Sequence, residues 1–573
     1  MPTISPWVAT SPDYRPDRYY RYQDLTDLLR KWSEDYQHLV TMASIGKSYE
    51  GRDIWALTIT NAETGPDTEK PAYFVDANIH AGEVTGCATT LKLIHLLLTG
   101  YGSDEAITRL LDTAAFYIVP AIMVDGMDRY LSTPDRMRSS MRPYPKAEQK
   151  DGIIRSDLDG NGISATMRVK DPNGPWKPAA DDPRVMVKRG PDEFGGDYYF
   201  VLPEGLIADW DGGAIKVASD LWGLDLNRNF PYDWAPEWKQ KGAGEIPLSD
   251  PETRALIEFI VKHPNICGSQ HFHTWSAVIL RTSAILPDSD MNKFDLETYK
   301  TIGKMGEEET GYPCVSIHDG FAYDKKQPIN GSLLDWMYTT LGAYTYATEL
   351  WSLPRKAGVE VTDFIAWGQD HPEADDVAMV RALDELVPEH GFLPWTPFEH
   401  PQLGSVEIGG FDFKFHLQNP PGPLLDEVSE GNARFVLRAA QTLPRISFSS
   451  TGAESLGGDI YRVSALVQNA GFLPTYLTEV GRATGQIEPP TVTITVPEGA
   501  EVVSGKVEQK LDHLDGRANQ YGAMPSTPVY GNRSRAKAEW IIRAPGGGLV
   551  ELLVTSTKAG ADRAMIELSG EAA

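Results

Sequence analysis

Residues 72–98 read AYFVDANIHAGEVTGCATTLKLIHLLL, and their reading decides the fold. Ala72 to Ala77 is a short apolar, β-prone run, and Val84 to Leu98 carries apolar residues at helical spacing. The stretch is therefore a strand, a turn and a helix, with His80 and Glu83 in the turn. Ala114 to Ile122 reads as a second buried strand, Ile266 to Trp275 as a third and Ala343 to Trp351 as a fourth. Helices fall between them. Ser249-Asp250-Pro251-Glu252 resembles a capping box with proline in the first turn, which predicts a helix to about Lys262. Strands alternating with helices over some 350 residues indicate an α/β sheet with helices on both faces. In such sheets ligands gather at the strand ends.

Further out the texture changes twice. Residues 126–222 weaken into Pro, Gly and charge and read as a long ordered insertion. A helix is expected over Ala374 to His390, then a proline-rich connection through Pro401 and a helix over Leu424 to Leu443. After Pro444 short alternating strands punctuated by Gly and Pro predict a β-sandwich. The expected division is a unit over 1–443, carrying the insertion, and a sandwich over 444–573. Two units suit 573 residues, because a single core rarely grows past about 250 to 300.

The chain is 41% apolar and 10% aromatic, which excludes a disordered or fibrous protein. Its net charge of −27 would repel nucleic acid and anionic lipid. No apolar window approaches the roughly 20 residues of a membrane span. Cys87, Cys267 and Cys314 are few and match no disulfide or zinc-knuckle pattern. With no basic start followed by an apolar run, the expected location is cytoplasmic. Oligomeric state is not legible.

Several residues could carry chemistry. His80 and Glu83 are two potential zinc ligands at a strand end, and hydrolytic zinc sites use three protein ligands and leave a position for water. His271 and His273, two apart on a strand, face the same side, and either could supply the third. Arg228, between Asn227 and Asn229, presents a planar fork that matches a carboxylate. Glu349 ends an otherwise apolar strand, where a charged group must be paired, metal-linked or desolvated. Asp157 to Gly162 (DLDGNG) has the first half of a calcium loop, but its twelfth position is Arg168 instead of the needed Glu.

These signals converge. The chain resembles the zinc metallocarboxypeptidases of the carboxypeptidase A type: HAGE (80–83) is similar to their zinc-binding His-x-x-Glu, LNRNF (226–230) to the carboxylate-binding Asn-Arg, HTW (273–275) to the third-ligand segment and TELW (348–351) to the catalytic glutamate. SIGKSYEGRDIWALTIT (44–60) resembles the family's entry strands. The resemblance implies a mixed, mostly parallel carboxypeptidase-like sheet, and one Zn2+ held by His80, Glu83 and His273. It implies Glu349 as general base and then acid, and Asn227 and Arg228 gripping the free terminal carboxylate of a peptide. His273 is preferred to His271 because Thr274 and Trp275 follow it as in the family. The family's oxyanion arginine is assigned to Arg168, with Arg142 behind it, and its capping tyrosine to Tyr323. Leu334 falls at the floor of the specificity pocket, which favours neutral or apolar terminal residues. A zinc amidohydrolase of N-acyl amino acids and a catalytically silent peptide- or glycan-binding protein are the competing readings.

Overall fold

The computed structural model describes residues 5–146, 148–322, 328–519 and 533–568. Eight strands form the central sheet: β1 (Val40–Lys47), β2 (Asp53–Ile59), β3 (Ala72–Ala77), β4 (Ala115–Val119), β5 (Ile266–Thr274), β6 (Val278–Arg281), β7 (Cys314–Ser316) and β8 (Tyr344–Leu350). Their spatial order is β1-β2-β4-β3-β5-β8-β6-β7. The pairs β4·β3, β3·β5, β5·β8 and β6·β7 are parallel, and the others antiparallel. The sheet is thus mixed, with a parallel centre.

Every residue of β3, β4 and β5 is buried, so none of these strands has a solvent-facing side. Inside β5 the Gln270 amide donates to Thr348 Oγ1 at 2.9 Å on the neighbouring strand, while its Oε1 has no partner among the described residues. The helix Thr85–Gly100 lies close against this centre. A Cβ at Gly86 would come within 3.0 Å of Ala77 Cβ and 3.1 Å of the Phe272 Cβ, so the glycine sets how closely the helix approaches β3 and β5. The predicted helix after Ser249 is present as Pro251–Lys262, but the capping box does not form. Asp250 is instead bound by Arg142 at 3.0 Å, and Glu252 accepts from the Tyr49 amide at 2.8 Å.

The insertion builds structure of its own. Gly152–Arg155 pairs with Gly205–Ala208, and Thr166–Lys170, Trp176–Pro178, Met186–Lys188 and Tyr199–Pro203 belong to a six-stranded sheet. The stretch expected to be a proline-rich connection is in fact a hairpin, Leu393–His400 and Gly404–Gly410, that completes this sheet. Pro394 and Pro397 fit because Leu393–His400 is its edge strand, where a missing N–H removes no ladder bond.

Beyond the helix Gly422–Ala440, two four-stranded sheets enclose an apolar core that includes Val463, Trp540 and Val550. They dock at the end of the central sheet where β5 begins. Lys558 Nζ donates to Ile266 O at 2.6 Å, Cys267 Sγ to Lys558 O at 3.0 Å, and Arg563 pairs with Glu69 at 2.8 Å. Ile266 opens β5, so these sheets sit at the opposite end of the strand from His273 and cover no entrance there.

Gly86→Ala is expected to destabilise the unit built on the central sheet by about 1 to 3 kcal/mol through overpacking. Scanning calorimetry would read this as a lower melting temperature. An unchanged melt would show that the helix can move out freely.

Candidate active site

The turn after β3 is built to present its side chains. Asn78 adopts a left-handed backbone, φ 58°, a region that asparagine enters more readily than most residues. Its amide donates to the carbonyl oxygens of His80 at 3.3 Å and Ala81 at 3.1 Å. At Gly82 a Cβ would meet Met137 O and the Tyr130 ring at 2.9 Å, so only glycine fits. The turn leaves His80 and Glu83 at the strand end. His273 reaches the same level near the end of β5, and Glu349 is its register partner on β8.

His80 Nδ1 lies 2.9 Å from Glu83 Oε1 and 3.1 Å from His273 Nδ1, and His273 Nδ1 lies 3.1 Å from Glu83 Oε2. All three residues are buried, at 5%, 2% and 4% exposure. Tetrahedral zinc with bonds of about 2.0 to 2.1 Å holds its ligand atoms roughly 3.3 Å apart. Two imidazole nitrogens and a carboxylate converging at nearly that spacing fit the ion with little movement. Burial works to raise the Glu83 carboxyl, but His80 and His273 outweigh it and hold the group well below the usual carboxylate range.

A second layer fixes the first. Asp225 Oδ1 lies 3.1 Å from His80 Nε2 and accepts from the Asn227 amide at 3.0 Å, while Oδ2 accepts from Arg138 Nη2 at 2.7 Å. Arg138 Nη1 also reaches Glu83 Oε1 at 3.2 Å. Burial would raise Asp225, yet Arg138, Arg228 and His80 keep its carboxyl far below its ordinary value. By holding Nε2, this carboxylate turns the other ring nitrogen of His80, Nδ1, toward Glu83 and His273.

Glu349 opens onto a cleft of about 620 Å3 lined by the three ligand residues, Asn227, Arg228 and Leu334. Its carboxylate makes no hydrogen bond among the described residues. Burial and then the charge of Glu83 push its pKa up to about 8. Asn227 Oδ1 accepts from the Leu333 amide at 3.0 Å, and Arg228 Nη1 donates to Asn227 O at 2.9 Å. Leu334 packs with Leu280, Ala284, Ile317 and Ala347 in an apolar recess.

The arginine assignments are corrected. Arg168 lies on the six-stranded sheet, not in the cleft. It pairs with Glu407 at 2.8 Å and sits between the rings of Tyr199 and Trp395, because its strand alternation turns it into that sheet's own packing. Arg142 is held by Asp250 and by Glu245 at 2.9 Å. His271 faces Asp76 at 2.7 Å and Ser269 at 2.8 Å, one register step short of the ligands. Tyr323 lies outside the described residues. Asp157 receives the amides of Gly160, Asn161 and Gly162, as an Asx turn does, and Asp159 and Glu204 lie nearby. The arginine beside the ligands is Arg138. Asp225 and Arg138 were both missed, although Asp225 stands directly before LNRNF and two before Asn227, the spacing of a capping carboxylate.

Residues 25–359 match the sequence profile of the zinc carboxypeptidases. The chain belongs to the zinc carboxypeptidase family. Residues 445–567 match a domain of unknown function. Carboxypeptidase D of Anas platyrhynchos is 34% identical over 121 residues, 21% of this chain and 9% of that protein. Mast cell carboxypeptidase A of Homo sapiens is 24% identical over 342 residues, 58% of this chain and 63% of that one. The aligned parts thus span less than two thirds of these relatives. The crystal structure of thrombin activatable fibrinolysis inhibitor superposes with a TM-score of 0.43 at 17% identity, covering 77% of each chain.

Asp225→Ala should weaken zinc retention about 10- to 100-fold, the usual cost of losing a ligand's outer partner. Chelator competition monitored by metal analysis reads the change. Unaltered affinity would mean that Asp225 does not orient His80.

Proposed function

We propose that this member of the zinc carboxypeptidase family removes the C-terminal residue of peptides, with a preference for neutral or apolar side chains there. The observation that carries the reading is the Glu349 carboxylate, without a hydrogen bond among the described residues and placed in register with His273, beside a triad of two imidazoles and one carboxylate. When bound by His80, Glu83 and His273, zinc supplies a Lewis acid that lowers the pKa of a water to about 7.

The chain's own groups do the rest. Arg228, with Asn227 beside it, receives the free carboxylate of the substrate and registers the last peptide bond over the triad. Glu349 takes a proton from the attacking water as its oxygen adds to the carbonyl carbon. It then delivers that proton to the departing nitrogen as the C–N bond breaks. Burial favours the protonated form that the second step needs, and a cation held beside it favours the carboxylate that the first step needs. Arg138, 3.2 Å from Glu83 and 42% exposed, is placed to steady the carbonyl oxygen as it gains negative charge. Leu334 and its apolar neighbours offer no partner for a charged terminal side chain, which would cost several kcal/mol to bury. The cleft exceeds what an acylated single amino acid needs, which favours peptides. The presence of both triad and Glu349 speaks against a silent binding protein.

Glu349→Gln is expected to lower kcat about 100- to 10,000-fold on a blocked dipeptide ending in Phe. Chelation should abolish turnover and zinc restore it. The free acid should be cleaved and its amide should not. Arg228→Met should reduce kcat/KM for the free acid roughly 30-fold or more, corresponding to about 2 kcal/mol. Equal cleavage of acid and amide would overturn the carboxylate clamp, and turnover without metal would overturn the zinc reading.

A further inference from the structure

The cleft has a second end that the proposed reaction does not use. Sheet order places the apolar recess on the β6 and β8 side of the triad. On the β4 side, the wall comes from the helix Val124–Ser132, from the segment following it and from the insertion strand Gly152–Arg155, and it contains Arg129, Arg136 and Arg155. Arg129 is neutralised by Asp135 at 2.5 Å. The other two are not. Among the described residues Arg136 donates only to the Ser164 carbonyl oxygen, at 3.3 Å, and its guanidinium lies 4.1 Å over the Phe413 ring. The Arg155 guanidinium has no hydrogen bond or ion pair among them.

Burial and then the charge of Arg155 pull Arg136 down to about 10, so the two guanidinium groups feel each other. Asp220 and Asp412 lie within electrostatic reach of Arg136, Asp220 also of Arg155, but neither makes a hydrogen bond to them among the described residues. Ser164, which lines the cleft beside Arg136, is only 6% exposed, and its hydroxyl is buried with no partner among the described residues. Two open guanidinium groups and an unsatisfied hydroxyl on one wall are unusual in a chain with a net charge of −27. Buried donors ordinarily have acceptors, and the missing acceptor is anionic in character.

We infer that Arg136, Arg155 and Ser164 form a subsite for a carboxylate side chain of the substrate, one or two residues before the scissile bond. The inference rests on the proposed peptidase reading for its direction. A peptide with its last side chain in the Leu334 recess must run across the triad toward β4, which brings its preceding residues to this wall. A guanidinium fork matches a carboxylate with paired hydrogen bonds, and the same wall repels a lysine. The insertion supplies Arg155, so it sets substrate preference as well as framing the cleft.

The test uses acetylated tripeptides ending in Phe, with Glu, Gln or Lys at either of the two preceding positions, and the zinc-loaded full-length Glu349→Gln protein, which turns over slowly. Calorimetry should show the Glu peptide binding about tenfold more tightly than its Gln counterpart at one of those positions, as expected for hydrogen bonds to a charged group. Arg155→Glu in the same background should invert the order in favour of the Lys peptide, a gain that a misfolded protein cannot produce. Equal binding of Glu and Gln peptides, or an unchanged order in Arg155→Glu, overturns the inference. Hydrolysis of the Gln peptide by the native enzyme tests the peptidase reading separately. Hydrolysis without discrimination removes only the subsite, whereas discrimination without hydrolysis removes only the reaction.

Discussion

A carboxylate buried at 2% exposure between two imidazole nitrogens is tolerable only if its charge is answered, because an isolated ion in such surroundings costs far more than folding can offset. Glu83 is answered on one side by Arg138 and on the other by the shared space between His80 and His273, where a cation belongs. The surrounding architecture serves that juxtaposition. Parallel pairing of β3 with β5 brings two distant segments to one edge, Gly86 lets the following helix approach, and Asn78 with Gly82 shapes the turn.

Charge is then distributed outward in layers. Asp225 gathers His80, Arg138 and Arg228 around one carboxylate, so the groups assigned to the metal, to the carbonyl oxygen and to the terminal carboxylate share a common anchor. Shifts at any one of them reach the other two. Further along the same cleft Arg129 keeps Asp135, whereas Arg136 and Arg155 have no ion pair among the described residues and feel Asp220 only at a distance. The sandwich-forming sheets take no part in this, since their buried lysine fastens them to the start of β5 and leaves the strand ends free.

Much of this was legible in the sequence because it is local. AYFVDANIHAGE encodes strand, turn and two candidate ligands in one stretch, and His273 and Glu349 stand near the ends of short segments that read as strands. What escaped is non-local. Nothing in the neighbourhood of Arg168 shows that it stacks on Tyr199 and Trp395, and nothing near Arg138 shows that it meets Glu83 and Asp225 across the cleft. The prolines of 393–401 suppressed a strand reading because their tolerance depends on lying at a sheet edge, a property of the partner strands. The capping box at Ser249 failed for a similar reason: Arg142 and Tyr49 compete for its carboxylates from elsewhere in the fold.

The central claim is that His80, Glu83 and His273 bind one zinc ion together. Anomalous diffraction at the zinc edge, on crystals of the full chain grown with the metal, tests it most directly. The account predicts a single strong peak about 2.0 to 2.2 Å from both Nδ1 atoms and a Glu83 carboxylate oxygen. A peak elsewhere, with these three side chains unaltered and the space between them filled only by water, would contradict it.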